Sequence, residues 1–110
     1  MDRIAVLGKL DERIIKSFMD IIILKRLENK HPMSGYDAIN YFHKKFRMLL
    51  SPGTVYSVVY SLERQNLIEG KMNQGKRIYD LTNQGEKHLN DISAQKNHIL
   101  TLLSYIFSEV

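Results

Sequence analysis

A chain of 110 residues carries material for one compact domain and little more, which excludes a two-domain enzyme. With 44% apolar and 25% charged residues it sits in the ordinary range of folded soluble proteins, and the absence of cysteine removes disulfide frameworks, thiolate metal sites and cysteine nucleophiles together. The net charge of +4 is lopsided: residues 1–50 hold ten Lys or Arg against six Asp or Glu, whereas residues 51–110 hold six of each, a balance that suits a polyanionic partner without requiring one.

The apolar run at 4–7 is cut short by Gly8 and Lys9, and the longest aliphatic run is only 21–24, so neither a membrane span nor a signal-peptide core is expected. The expectation is a soluble, cytoplasmic protein with no membrane partner. From 11 to 29 the apolar residues Ile14, Ile15, Phe18, Met19, Ile21, Ile22, Ile23, Leu24 and Leu27 fall at helical spacings but cover well over half the circumference. Such a helix is either the centre of a monomer or shared with a second subunit, and the shortness of the chain favours the second reading.

His31-Pro32 breaks that pattern, and Ser34-Gly35-Tyr36-Asp37 reads as a capping box opening a second helix to about Phe46, with Ile39, Phe42 and Phe46 on its apolar face. Ser51 as N-cap followed by Pro52, with Leu50 able to staple onto Val55, starts a third helix running to about Gln65. Val55, Val58, Val59 and Leu62 share one side of it and leave Gly53, Tyr56, Ser57, Tyr60 and Arg64 outward. Two tyrosines and a glycine make an odd solvent face, since a plain surface helix favours Glu, Lys and Ala. Residues 67–71 and 76–81 are β-prone runs around Met72-Asn73-Gln74-Gly75, turn chemistry for a hairpin. Thr82 then caps a long last helix, where Leu89, Ile92, Ile99, Leu103, Ile106 and Val110 form a coiled-coil-like seam, with Lys96 at one seam position.

Helix, helix, helix, hairpin, helix is the winged helix-turn-helix order, so the fold class is mainly helical with a small β-hairpin. The boundaries are 1–82 for a winged helix-turn-helix DNA-binding domain with its N-terminal helix and 83–110 for a C-terminal dimerisation helix. Met33-Ser34-Gly35-Tyr36-Asp37, Leu50-Ser51-Pro52-Gly53-Thr54-Val55-Tyr56, Tyr60-Ser61-Leu62-Glu63-Arg64-Gln65-Asn66-Leu67-Ile68 and Tyr79-Asp80-Leu81-Thr82-Asn83-Gln84-Gly85 together resemble the PadR family of transcriptional regulators. The resemblance covers about 21–85 and departs from the family pattern at Ser57, where proline is usual, and at Ser61, where arginine is common. It implies a homodimeric, repressor-type regulator on a palindromic double-stranded DNA operator, often released by a small-molecule effector. The single C-terminal helix looks like the compact branch of that family.

Chemistry points to the same surface. Gly53 permits close approach of the third helix to a phosphate, Ser51 and Thr54 can donate to phosphate oxygens at the positive end of the helix dipole, and Tyr56, Ser57 and Tyr60 can reach base edges or sugars. Ser34 and Tyr36, opening the second helix, and Lys71, Lys76 and Arg77 on the hairpin complete the DNA-contacting set. Partial core packing is an equally good reading of the two tyrosines. The expected dimer interface is Ile15, Phe18 and Ile22 with Ile92, Ile99, Leu103 and Ile106. An effector pocket would fall between the first and last helices of two subunits, near Phe18, Ile22, Tyr105, Ile106 and Phe107, although a fully packed dimer core is the preferred reading there. No Gly-rich phosphate loop, carboxylate pair or His-Glu-x-x-His is present, and His31, His43, His88 and His98 are scattered, so neither an enzyme, a cofactor nor a metal site is expected. The rival reading is a winged-helix module for protein contacts, or a weakly specific DNA-coating protein.

Overall fold

The structure, a computed structural model, describes residues 8–29 and 31–108. Val110, expected at the end of the C-terminal seam, lies outside these. The order is α1 (Lys9–Ser17), α2 (Met19–Glu28), α3 (Gly35–Phe46), α4 (Pro52–Arg64), β1 (Ile68–Asn73), β2 (Lys76–Leu81), α5 (Asn83–Ser93) and α6 (Lys96–Ser108). This is a winged helix-turn-helix: α2, α3 and α4 form the helical body, and β1–β2 form the wing.

The residues read as caps do cap. Ser34 Oγ accepts from Asp37 N at 3.0 Å while Asp37 Oδ2 accepts from Ser34 N at 3.0 Å, a complete capping box. Ser51 caps α4 with Pro52 in its first turn, and Thr82 Oγ1 accepts from Gly85 N at 2.9 Å to start α5. The wing's turn is tighter than a four-residue loop. Asn73 pairs directly with Lys76, leaving only Gln74 (φ 51°) and Gly75 (φ 80°) between the strands, and two successive positive φ values define the I′ geometry that matches strand twist.

Two helices that the sequence presents as continuous are divided. The stretch 11–29 breaks at Phe18 (φ −119°), where Phe18 N bonds back three residues to Ile15 O, and the last helix breaks at 94–95, where Gln95 N bonds to Ile92 O. The two readings of the first greasy stretch divide with it. Around α2, Met19, Ile23, Leu24 and Leu27 are buried and Ile21 and Ile22 pack against them, so α2 is the central helix of the single chain, touching α4, α5 and β2. The exposed apolar surface belongs to α1, at Leu10 and Ile14, and to Phe18 at its C-terminal end.

The core continues through Ala38, Phe42, Met48, Val55, Val59, Leu62, Leu67, Ile68, Tyr79 and Leu89, with Ile39 and Leu81 partly buried against it. A further link ties the wing to this body: Met33, just before α3, exchanges both backbone hydrogen bonds with Tyr79 of β2, at 3.2 and 2.8 Å. None of the residues of α6 is buried. Among the described residues no helix is long and apolar enough to cross a membrane.

Candidate nucleic-acid interface

The first turn of α4 is open to solvent. Ser51, Pro52, Gly53 and Thr54 are all exposed, and Ser51 Oγ accepts from Thr54 N at 3.2 Å while lying 2.8 Å from Thr54 Oγ1. This pairing sets both hydroxyls at the helix start, where the Thr54 and Val55 N–H groups already bond to Ser51 and Pro52 has none, so a phosphate would meet the two hydroxyls and the positive end of the helix dipole. Apart from its chain neighbours and the backbone of its own helix, nothing lies within 4 Å of where a Gly53 side chain would begin.

One turn further, the Tyr56 and Tyr60 rings stack with centroids 5.7 Å apart. Tyr56 is half-buried and Tyr60 is 47% exposed, so the pair divides between packing and presentation. The reason lies in Gly35: a Cβ there would stand 2.0 Å from Tyr56 Cε1. The glycine of the Ser-Gly-Tyr segment is the seat of the tyrosine that closes the Ser-Pro-Gly-Thr-Val-Tyr segment, and the two motifs are thus one piece of structure. Together with Ser34, Tyr36, Lys76, Arg77 and Tyr79, these residues line a groove of about 250 Å³ between the start of α3, the face of α4 and the wing.

Not every expected contact residue offers a free group. Ser34 is buried, and its hydroxyl serves the capping box. Lys71 is paired with Glu69 of its own strand at 3.8 Å. The Arg77 guanidinium is bonded to Glu63 of α4, which the sequence reading did not single out. That hydrogen bond holds Arg77 above its already high ordinary pKa, and burial pushes the Tyr79 phenol up. Tyr36, Ser57 and Lys76 stand exposed.

The expected interface residues divide similarly. Ile15 is already in the chain's own core, with little surface left for a second subunit, and Ile22, Ile92 and Ile99 are partly buried. Phe18, Leu103 and Ile106 are exposed. Among the described residues no group of three or more His, Asp or Glu could hold a metal ion.

A body of three helices with a wing at its side defines the class as winged helix-turn-helix. The model of the transcriptional regulator PadR-like family matches residues 23–91, from α2 into α5 and well over half the chain, and the protein belongs to that family, one of regulators rather than enzymes. A PadR family transcription regulator from hypervirulent Clostridium difficile is 25% identical, with a TM-score of 0.68 over 83% of this chain and 99% of that one. A PadR-like transcriptional regulator from Bacillus cereus shares the fold at 17% identity and TM-score 0.71, over 89% of this chain and 99% of that one. So does a winged-helix DNA-binding protein from STIV, at 18% identity and TM-score 0.62, over 77% and 90%. Among curated protein sequences none matches.

Proposed function

We propose that the protein is a homodimeric repressor that binds a palindromic DNA operator, each subunit setting α4 in a major groove with its wing on the flanking backbone. The observation that carries this reading is the first turn of α4: exposed, glycine-bearing, with two paired hydroxyls at the positive end of the helix, next to a groove lined in part by Lys76, which has no carboxylate partner among the described residues. Ser57 and Tyr60 face outward where base edges would lie, while Tyr36 and Lys76 reach sugar and phosphate. The segment 83–110 supplies the subunit contact through α6. Two symmetric subunits then require half-sites about one helical turn apart. Footprinting on the gene's own promoter region, compared with random duplex at about 0.15 M salt, tests this: a specific regulator gains several orders of magnitude, and a coating protein does not. A footprint covering one half-site at saturation overturns the dimeric reading.

Two substitutions separate DNA contact from folding. Gly53→Ala adds a methyl group into open space and removes backbone freedom from the unfolded chain, so thermal stability should hold or rise by about 0.4 to 1 kcal/mol. Operator affinity should nevertheless fall, because the methyl group occupies the space a phosphate needs. Unchanged affinity would show that DNA does not approach this turn. Lys76→Ala should weaken binding to all duplexes alike and make the log–log salt slope shallower by roughly one unit, as titration at several salt concentrations would reveal.

A further inference from the structure

Lys76 and Arg77 are neighbours at the start of β2 with the same charge, and both line the groove between α3, α4 and the wing. Their surroundings differ. Both are exposed, but Lys76 has no carboxylate partner among the described residues. Arg77 is bonded to Glu63 in the last turn of α4, and its guanidinium carbon lies 5.9 Å from the centroid of the Tyr79 ring. β1 leaves room for this side chain: Gly70, paired with Tyr79, has no Cβ, and one there would stand 2.6 Å from Arg77 Nε and 2.9 Å from its Cζ. Tyr79 is itself buried and bridged to Met33. The guanidinium is therefore held by α4 on one side, by a ring anchored in the body on the other, and lies in a space that β1 keeps clear.

We propose that Arg77 is a positioning residue, a latch that fixes the wing against α4, and that Lys76 alone of the two is a phosphate contact. The proposal deepens the DNA-binding reading and rests on it for its effect on affinity. A two-stranded hairpin is marginal on its own in water, and one that swings free must be ordered at the moment of binding, at a cost in affinity. Glu63 would also repel phosphate if left unpaired. Bonded to Arg77, it forms a neutral pair that releases no counterion and so leaves the salt slope untouched.

The test uses Arg77→Ala, Glu63→Gln, the charge-swapped double variant carrying Glu63→Arg and Arg77→Glu, and Lys76→Ala as the contrast. In the DNA-free protein, amide exchange in β1 and β2 should accelerate by a factor of about two to five in either single variant, return toward wild type in the swap, and stay unchanged in Lys76→Ala. On duplex DNA Arg77→Ala should lose several-fold in affinity, and the swap, which restores a neutral pair, should recover most of it with the wild-type salt slope. Tighter binding by Glu63→Gln overturns the latch, since Arg77 would then be a phosphate contact restrained by Glu63. Unchanged wing exchange in both single variants, or a swap no better than they are, overturns it as well. Because the exchange is read without DNA, a failure of the latch is distinguishable from a failure of the DNA-binding reading.

Discussion

Gly85→Ala is expected to lower the melting temperature by more than about 10 °C at fixed protein concentration, far beyond the effect of the same change at Gly53. A Cβ at Gly85 would stand 2.0 Å from the Leu67 carbonyl oxygen and 2.8 Å from Leu81 Cδ1. The oxygen cannot retreat cheaply, because it accepts Thr82 N at 3.2 Å and shares the Thr82 hydroxyl proton, at 3.0 Å, with Asn66 O at 2.7 Å, contacts that join the end of β2 to the start of β1. The remaining relief is for α5 to lift away. That would loosen Leu89, which is fully buried, and the packing of α5 on α2. Overpacking a well-filled site typically costs about 1 to 3 kcal/mol, and here the obstacle is backbone rather than a side chain free to turn, which places the expected cost at or above the top of that range. Thermal melting of the two alanine variants side by side checks the contrast. A Gly85→Ala protein as stable as wild type would show that α5 does not dock as closely as this geometry requires.

The elements were legible where local chemistry dictates them. Ser34 with Asp37, Ser51 with Pro52, and Thr82 each satisfy orphan N–H groups within three residues, so spacing alone identifies them. The outward face of α4 follows equally from a period of 3.6. The breaks at Phe18 and at 94–95 carry neither Gly nor Pro, and a stretch apolar on most of its surface reads the same whether one chain covers it or two do. Contacts across the fold left no spacing to read. Gly35 beneath Tyr56, Gly85 against Leu67 O and Glu63 beside Arg77 are each pairs from different elements, and an arginine in a β-run looks as available to phosphate as the lysine before it until its partner is seen.

The proposed dimer puts its largest demand on α6. Leu100, Leu102, Leu103, Tyr105, Ile106 and Phe107 are all at least 46% exposed in the single chain, an apolar surface wider than a soluble monomer ordinarily presents to water. Leu103 and Ile106 lie on one side of it, with Ile99, partly buried, one turn earlier. Covering side chains of this size contributes on the order of 1.5 to 3 kcal/mol each, and two-fold symmetry counts every contact twice. Leu103→Asp would also place two carboxylates at the middle of the joint seam, so the variant should sediment as a monomer. Because no residue of α6 belongs to the chain's own core, that monomer should keep the far-ultraviolet spectrum of a folded body from α2 to α5. Tight operator binding should be lost with the dimer, since one half-site recovers little of the affinity of two linked ones, while weak non-specific binding through α4 and Lys76 should survive. A Leu103→Asp protein that remains dimeric and still holds its operator would put the subunit contact on another element, with the exposed Leu10 and Ile14 of α1 and Phe18 at its end the next surface to change.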